Sequence, residues 1–518
     1  MEKFYITTAI DYVNGAPHIG HAYEKIATDV IVRHQKQRGK DVYFLTGSDE
    51  HGIKIQKTAL AQGVTPKELC DSNVAKFKDT WELLEIDYDQ YIRTTDEQHE
   101  KTVQKIFQKL LDKGAIYKDS YTGLYCSGCE CFLNEKDLTE DGLCPDHLVK
   151  PEEVKEENYF FKLTDYKEQL KDYVKKSVKP EYRVNEVLNQ IDDIRDISVS
   201  RSSDTLQWGI PVLGDDSQVI YVWIDALSNY ITAIGYDTEN PSETFKKYWP
   251  ANCHMIGKDI LKFHSIYWPA ILMALDVELP ETIFAHGWIT IDEQKMGKSL
   301  GNVISPASLM ETFELQNVDP IRYFFMTTTP FGKDGNYSDE DFKAKVNSDL
   351  ANNMGNLLNR SLSMLCKYFD GEIKPEFVSD SLKDKALQTP PRVLEAFDNY
   401  AIEQAADAVI ELVNDTNKYV NDNAPWTLAK EEKWIECGHA IYNTLETMRH
   451  VAVLIYPICP NIAQDIWEQL CCDGKVGEFL IADLKWGDLK VGKIASKETV
   501  KPVFLRIDSE FAGDKKKK

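Results

Sequence analysis

The first fifty residues favour a parallel β-sheet with a helix packed on one face. Apolar, strand-like runs cover residues 4–10 and 41–45, and an amphipathic helix is predicted between them from Pro17 onward. A strand, a helix and a second strand in this order form a βαβ unit, whose two strands run parallel in one sheet. Ligands of such sheets bind beyond the carboxyl ends of the strands. The sequence therefore predicts an α/β fold with a binding site near Tyr12 and Asp49, which follow the two runs.

The rest of the chain divides into an interruption of the sheet and a helical region. A cysteine-rich stretch without strong periodicity spans residues 121–148, and strand-like runs resume near residues 254 and 282. From residue 319 onward, apolar residues recur at helix spacing. We predict a Rossmann-like parallel-sheet domain with an insertion, followed by an all-α helical bundle. The predicted segments are the first half of the sheet domain (1–114), the insertion (115–235), the second half (236–302), a linker (303–350) and the bundle (351–518).

Length and composition narrow the class of protein. A chain of 518 residues exceeds one compact core, so several domains are expected. No apolar run approaches the roughly 18 residues of a membrane span, and no signal-peptide layout opens the chain, so we expect a cytoplasmic enzyme. The net charge of −24 argues against non-specific nucleic-acid binding, although a local basic surface would still suffice for RNA. Eleven cysteines favour reduced thiols over a disulfide framework.

Two short motifs contain the side chains best suited to bind phosphate. His18 and His21 lie three residues apart at the predicted helix start, where the helix dipole and backbone N–H groups favour anions. Gly20 lies between them and would let a nucleotide approach the backbone closely. Lys295 and Lys298 lie three apart in a glycine-containing loop. Each motif alone is equally typical of capping or surface residues, but the pair together favours binding of a triphosphate.

Residues 17–21 (Pro-His-Ile-Gly-His) and 295–299 (Lys-Met-Gly-Lys-Ser) resemble the HIGH and KMSKS signatures of class I aminoacyl-tRNA synthetases. The surrounding residues resemble those of the methionyl-tRNA synthetases, from Phe4 to about Trp434. The resemblance implies that L-methionine is activated by ATP, with Mg²⁺, to methionyl-adenylate and transferred to the 3′ end of tRNA(Met). Gly297 replaces the serine usual in the second signature, which should make that loop more flexible.

The same resemblance assigns roles to individual residues. His18, Gly20, His21 and Lys298 would bind ATP, and the two histidines with Lys295 and Lys298 would stabilise the transition state. A methionine site is implied as well, with Asp49 and the backbone near Ile10 meeting the α-amino group. A thioether side chain favours an apolar cavity with aromatic walls. Taken singly, each aromatic residue is more simply explained as part of the core. The residues that the resemblance assigns to the methionine site are Ile10, Tyr12, Asp49, Trp223, Ala226, Tyr230, Ile260 and His264.

The cysteine-rich stretch contains a candidate metal site. Cys126 and Cys129 form a CxxC pair, and Cys144 and His147 form a CxxH pair. Soft ligands at this hairpin spacing suit one tetrahedral, structural Zn²⁺, with unligated thiols as the alternative. Cys131 is a rival ligand. The resemblance favours zinc, because one-knuckle methionyl enzymes carry this ligand set.

The helical region contains candidate contacts to RNA. The resemblance implies that residues 351–518 bind the anticodon, through Asn356, Arg360 and Trp426, while residues 303–350 contact the tRNA stem. Unpaired anticodon bases are recognised by stacking on aromatic side chains. Without the resemblance, Trp426 would be read as a packing residue at a helix start. A C-terminal dimerisation domain is not evident, so a monomer is expected.

Three other functions remain open from the sequence. The first is another class I synthetase, of the cysteine type, in which a metal binds the substrate thiolate; the cysteines here cluster in the insertion instead. The second is a small-molecule nucleotidyltransferase of the HIGH superfamily, which would not need a long helical region. The third is a tRNA-binding relative without activity, against which the intact histidine and lysine motifs argue.

Overall fold

The computed structural model describes residues 1–126, 131–133, 138–139, 141–145, 148–291, 293 and 303–507. The first part of the chain alternates strands and helices as the sequence predicts. Its elements are β1 (Lys3–Thr8), β2 (Asp11–Tyr12), α1 (Ile19–Gln37), β3 (Asp41–Asp49), α2 (Ile53–Gln62), α3 (Pro66–Leu83), β4 (Gln90–Arg93) and α4 (Glu97–Asp112).

The middle of the chain is richer in short strands. Its elements are β5 (Ile116–Cys126), β6 (Cys131–Leu133), β7 (Glu152–Phe161), α5 (Lys167–Ser177), β8 (Val178–Lys179), α6 (Val184–Asp192), β9 (Ile197–Ser198), β10 (Ser200–Ser202), β11 (Ile210–Val212), β12 (Asp215–Ile220) and α7 (Val222–Thr232). These are followed by α8 (Glu243–Tyr248), β13 (Cys253–Gly257), α9 (Trp268–Leu275), β14 (Ile283–His286) and β15 (Ile289–Ile291). A π-helix, Phe263–Tyr267, leads directly into α9.

The remainder is predominantly helical. Its elements are α10 (Pro306–Thr312), α11 (Asp319–Thr327), β16 (Gly335–Tyr337), α12 (Asp339–Val346), α13 (Asn356–Phe369), β17 (Glu372–Ile373), α14 (Lys383–Asp398), α15 (Ile402–Asn423), α16 (Pro425–Lys430), α17 (Trp434–Ile455), α18 (Pro460–Gln469) and β18 (Gly492–Lys493). No helix among the described residues is both long and apolar enough to cross a membrane.

A seven-stranded sheet forms the centre of the N-terminal part. Its strands follow the order β2-β3-β1-β13-β14-β8, and β4 also pairs with β3. Every pairing in this sheet is parallel. The carboxyl ends of β1, β3, β13 and β14 therefore open on one edge, as the βαβ pattern predicts. The predicted parallel-sheet class is confirmed.

Helix α1 connects β1 to β3 and is enclosed on nearly all sides. Fifteen of its nineteen residues are buried, including charged ones. The helix begins at Ile19, two residues later than predicted, because His18 adopts an extended conformation and its imidazole accepts the Gly20 N–H. Pro17 therefore precedes the cap and does not belong to the first turn.

The predicted insertion contains two antiparallel sheets, with strand orders β6-β5-β7-β9 and β10-β12-β11. One strand from the same segment, β8, instead pairs with β14 at the edge of the main sheet. Residues 115–235 are therefore not wholly separate from the sheet domain, and the predicted segment boundaries stay a prediction.

The helical bundle after residue 351 is confirmed. The apolar residues that recur at helix spacing on the long helices α15 and α17 are buried, as the periodicity predicts, and α17 is also buried on its other faces. On α15 these are Ile402, Ala405, Val409 and Val413, and on α17 they are Ile441, Leu445, Met448, Ala452 and Ile455.

A buried arginine joins the bundle to α1. The guanidinium of Arg322, on α11, donates to the carboxylate of Asp29 at 2.5 Å and to the backbone oxygens of Pro457 and Ile458 at 3.1 and 3.0 Å. Both charged side chains are fully buried. The turn between α17 and α18 is thereby fixed against α1.

Candidate active site

A cleft of about 310 Å³ lies at the carboxyl edge of the main sheet. Its walls are formed by residues that follow three adjacent parallel strands, and by the first turns of α1. The wall residues are Ala9, Ile10, Asp11 and Tyr12 after β1, Gly257, Asp259 and Ile260 at β13, His286, Gly287, Trp288 and Ile289 at β14, and His18, Gly20, His21 and Glu24 at α1. This is the edge at which an open parallel sheet binds its ligands.

The two motif histidines face each other across the start of α1, with ring centroids 3.9 Å apart. The Nδ1 of His18 accepts the Gly20 N–H at 3.1 Å, and the Nδ1 of His21 accepts the His18 N–H at 3.2 Å. A neutral imidazole that accepts at Nδ1 carries its proton on Nε2. Both rings therefore have an Nε2–H donor at a helix N-terminus, where the dipole favours anions.

The lysines of the second motif, Lys295 and Lys298, lie outside the described residues, as does Gly297. Residues on both sides of this segment reach the cleft. Ile289, on β15, lines it, and the backbone oxygen of Ile304 accepts the N–H of Ile19, next to His18, at 2.9 Å. Described residues that precede and follow the lysines in sequence thus lie near the motif histidines.

A charged network that sequence reasoning missed lies along the cleft. Lys25 donates to Asp11 and to Glu24, each at 2.9 Å, and the other oxygen of Glu24 lies 3.0 Å from the Nε2 of His286. Burial opposes the charge of Lys25, but the two carboxylates raise its pKa above the ordinary value. These groups hold the side chain of Glu24 at the wall of the cleft.

The predicted methionine site is divided between the cleft and the layer behind it. Ile10, Tyr12 and Ile260 line the cleft itself. Asp49 is the last residue of β3, is 8% exposed, and pairs in register with Tyr12 on β2. The predicted carboxylate and the predicted aromatic thus occupy neighbouring positions at the ends of adjacent strands.

The remaining predicted residues belong to α7 and the neighbouring π-helix. The ring of Trp223 stacks on Phe263 at 3.5 Å. The hydroxyl of Tyr230 lies 2.7 Å from the Nε2 of His264, whose Nδ1 lies 3.0 Å from the Ile260 oxygen. Because a carbonyl only accepts, His264 donates from Nδ1 and accepts the tyrosine hydroxyl at Nε2.

Burial makes this histidine a neutral group. Burial lowers the pKa of His264 to about 4, so the imidazole ring carries no charge at neutral pH. Ala226 is buried in a small apolar cluster against which Ile10 packs. This wall thus presents aromatic and apolar surface without a net charge, as a thioether pocket requires.

The predicted metal ligands are only partly within the described residues. Cys129 and His147 lie outside them, whereas Cys126 and Cys144 are both buried. Cys126 ends β5 opposite Cys131 on β6, so the chain reverses after it. It reverses again at Cys144, which exchanges backbone hydrogen bonds with residues 148 and 149 at 2.8 Å each.

Cys126 and Cys144 thus each lie next to a reversal of the chain. Within the residues the structure describes, no group of three or more histidine, cysteine or acidic side chains could hold a metal.

The predicted RNA contacts lie on α13 and α16 of the bundle. Asn356 is exposed and begins α13, and Arg360 follows it one turn later. The guanidinium of Arg360 lies 5.5 Å from the ring centroid of Trp426, which belongs to the first turn of α16. Trp426 is half-buried, so part of its ring is accessible.

Two family descriptions match the chain. One, for class I tRNA synthetases (M), matches residues 4–150 and 147–362. The other, for the anticodon-binding domain of tRNA ligases, matches residues 385–500. The first covers the sheet and its insertion, and the second covers most of the helical bundle.

Individual relatives agree with these descriptions. The chain is 47% identical to the methionine–tRNA ligase of Clostridium perfringens, over 98% of this chain and 79% of that protein. It is 41% identical to the methionine–tRNA ligase of Thermotoga maritima, over 98% of this chain and 81% of that protein. The methionyl-tRNA synthetase of Mycobacterium tuberculosis, solved in complex with methionyl-adenylate, superposes with a TM-score of 0.91 at 39% identity, covering 98% of this chain and 100% of that one.

Proposed function

The chain belongs to the methionine–tRNA ligases, a family of class I tRNA synthetases, and we propose that it uses ATP to join L-methionine to tRNA(Met). One observation carries the proposal. The motif histidines line the same cleft as three predicted methionine-site residues and as Ile289, which precedes the lysine motif in sequence. A nucleotide and an amino acid can therefore meet in one place.

The first step joins the methionine carboxylate to ATP. A carboxylate oxygen attacks the α-phosphorus, a new P–O bond forms, and the bond to the β-phosphate breaks with departure of pyrophosphate. Negative charge then accumulates on phosphate oxygens. The Nε2–H groups of His18 and His21 are suited to donate hydrogen bonds to those oxygens, and the helix dipole acts in the same direction. Mg²⁺ accompanies ATP as part of this substrate.

The lysine segment would complete the phosphate site. Lys298 lies six residues before Ile304, so its Cα is at most about 20 Å from that anchor. An ammonium group on a long side chain can reach the cleft over this span. We assign Lys298 to ATP binding, and Lys295 with Lys298 to stabilising the pyrophosphate as it leaves.

Methionine would bind beside the nucleotide with its ammonium at Asp49. Asp49, Tyr12 and the backbone near Ile10 stand at the ends of adjacent strands. Apolar and aromatic groups of Trp223, Ala226, Tyr230, Ile260 and His264 would surround the thioether. Neutral His264 fits this role, because a charged imidazole in an apolar pocket would need a counter-ion.

In the second step a hydroxyl of the terminal ribose of tRNA attacks the methionyl carbonyl. The ester bond forms as the bond from that carbon to the phosphate oxygen breaks, and AMP leaves. Asn356, Arg360 and Trp426 would read the anticodon at the helical bundle. Residues 303–350 would contact the stem between the two sites.

The experiment that tests this function is amino-acid-dependent exchange of pyrophosphate into ATP, measured with each of the twenty amino acids. We expect methionine to support exchange and charging of tRNA(Met). Exchange with cysteine alone would favour the cysteine-type synthetase. Nucleotide transfer without amino-acid dependence would favour a nucleotidyltransferase, and RNA binding without exchange would favour an inactive relative.

Zinc is the metal we propose for the insertion. Cys126 and Cys144 are buried at two chain reversals, and thiolates with one imidazole suit tetrahedral Zn²⁺ without an open position. Cys129 and His147 would complete the set. The site would stabilise the insertion and would not take part in the chemistry.

We expect about one zinc per chain in freshly purified protein. Cys144→Ser should lower the zinc content and destabilise the insertion, because a structural site contributes folding free energy. Cys471→Ser is the matched control, since Cys471 is exposed and distant in sequence from both pairs. Metal analysis by mass spectrometry decides the point: absence of zinc from the native protein would remove the assignment.

Replacing Trp426 with alanine is expected to separate the two halves of the reaction. Stacking of one base on an aromatic ring contributes about 1–3 kcal/mol, so kcat/KM for tRNA should fall about 5- to 150-fold. Methionine-dependent exchange should stay within about twofold of wild type, because Trp426 lies on α16 and does not line the cleft. Equal loss in both assays would show that Trp426 is only a packing residue.

Two further expectations from the sequence, a monomer and a cytoplasmic location, stay predictions. Light scattering of the purified protein tests the first.

A further inference from the structure

Three buried polar side chains behind the cleft form one hydrogen-bonded unit, which we call the Asp225 cluster (Asp225, His51 and His99). One carboxylate oxygen of Asp225 lies 2.7 Å from the Nδ1 of His51, and the other lies 2.8 Å from the Nε2 of His99. The Nδ1 of His99 is 2.7 Å from the hydroxyl of Thr232. All three cluster residues are at most 3% exposed, and none lines the cleft.

The cluster joins the two walls of the proposed methionine site. Asp225 lies on α7, between Trp223 and Ala226. His51 lies two residues after Asp49, which ends β3. The contact between Asp225 and His51 therefore sets the position of the aromatic wall relative to the carboxylate wall. His99, on α4, braces the same carboxylate from behind.

The segment after Asp49 is also held from its other sides. The indole N–H of Trp208 donates to the backbone oxygen of Glu50 at 2.6 Å. The guanidinium of Arg93 binds the Glu50 carboxylate at 2.6 and 2.7 Å. The Nε2 of His51 lies 3.5 Å from a carboxylate oxygen of Glu100. A change at Asp225 would leave these contacts in place, so its effect should be local.

The charges in the cluster compensate each other. Burial alone would raise the pKa of Asp225, but the two histidines lower it to about 2. Burial alone would lower the pKa of His51, but Asp225 raises it to about 10. A buried ion pair of this kind adds little stability compared with apolar side chains of similar size. The position that the Asp225 cluster gives to its neighbours therefore says more about its role than its contribution to stability does.

We infer that Asp225, His51 and His99 are positioning residues for methionine, which fix Asp49 relative to Trp223 and Ala226 without touching the substrate. This inference rests on the proposed function. A displacement of about 1 Å in a binding group can cost up to about 100-fold in rate or affinity. The cluster should therefore control methionine binding far more than ATP binding, because the motif histidines belong to a separate wall.

The test compares methionine-dependent exchange in wild type and Asp225→Asn, a change that keeps the shape but removes the charge. We expect the KM for methionine to rise about tenfold or more, with the KM for ATP within about twofold. His51→Asn should be less impaired than His51→Ala, because an asparagine amide can replace the Nδ1–H donor. Thr232→Val, a milder change, should raise the KM for methionine by a smaller factor.

The control is Glu446→Gln, which alters a buried carboxylate on α17 that accepts from Arg449 and from backbone N–H groups of residues 487–489. It should lower the thermal unfolding midpoint without raising the KM for methionine. The inference is overturned if Asp225→Asn changes both KM values equally, or neither. If Asp225→Asn does not fold, the same criterion applies to Thr232→Val and the His51 pair. Wild type without methionine-dependent exchange would instead refute the proposed function.

Discussion

Replacing His21 with alanine is expected to lower the kcat of methionine-dependent pyrophosphate exchange about 10²- to 10³-fold. Removal of one preorganised donor to a developing oxyanion costs this much in comparable sites. The Nδ1 of His21 is engaged by the His18 N–H, which leaves Nε2–H as the donor. Loss of the ring would also remove its contact with the ring of His18, 3.9 Å away.

The KM for methionine should change less than threefold in this variant, because the proposed ammonium and thioether contacts lie on other elements. An interaction made mainly in the transition state lowers kcat without changing ground-state binding. Lys298→Ala is expected to follow the same pattern. A large rise in the KM for methionine with unchanged kcat would contradict the assignment of either residue.

Lys36→Ala is the matched control for His21→Ala. Lys36 belongs to the last turn of α1 and pairs with Asp87 on the surface at 2.8 Å. An exposed pair contributes little, about 0–1 kcal/mol, so exchange should remain near wild type. The comparison separates the role of the imidazole from any general effect of a substitution in α1.

The position of the site could be predicted from local sequence signals. Strand-like runs and one amphipathic helix fix a βαβ unit, and the rule for parallel sheets then places the ligand site at the strand ends. The structure bears this out for Tyr12 and Asp49, which occupy paired positions on β2 and β3. Tyr12 lies two positions and Asp49 four positions after the end of an apolar run, so no long-range information was needed.

The start of α1 could not be predicted to the residue. Histidine is not among the usual N-cap residues, so Pro17 marked the expected start. In the fold, the imidazoles of His18 and His21 form a reciprocal capping pair with backbone N–H groups. The same rings that are proposed to bind phosphate thus also define where the helix begins.

The buried charged groups could not be predicted from sequence patterns. Glu24 and Lys25 look like surface residues of an amphipathic helix, yet both are buried because α1 is covered on several sides. Glu24 has a partner that is distant in sequence, His286, which is 262 residues away. The same is true of Asp225 and His51, 174 residues apart. Only the folded chain brings such groups together.

Replacing Arg322 with leucine is expected to destabilise the protein by about 3–5 kcal/mol. The change leaves Asp29 with Arg33, at 2.7 Å, as a remaining cationic partner, and it removes a charged donor from the buried interior. Arg322 and Asp29 are both fully buried, and Arg322 also binds the backbone oxygens of Leu84, Pro457 and Ile458. The variant would leave all three carbonyl groups without this donor.

The thermal unfolding midpoint should fall by at least about 5 °C, since 1 kcal/mol corresponds to about 2–4 °C in domains of 150–250 residues. Arg38→Ala is the control. Arg38 pairs with Asp398 and so also joins α1 to the bundle, but both side chains are substantially exposed. Loss of this surface pair should cost at most about 1 kcal/mol. Equal destabilisation by the two variants would mean that burial does not increase the contribution of the Arg322–Asp29 pair to the free energy of unfolding.

The pH dependence of the Arg322→Leu effect follows from Asp29. Burial alone would raise the pKa of Asp29, but Arg33 and Arg322 together lower it below its ordinary value. A carboxylate with a lowered pKa stabilises the fold above its unfolded pKa of about 3.9 and loses this contribution as the pH falls through the folded value. The difference between variant and wild type should therefore be constant from about pH 5 to 8 and shrink toward about pH 3. A difference that instead grew on acidification would show that repulsion among other groups, and not the Asp29 pair, determines how α1 is held to the bundle.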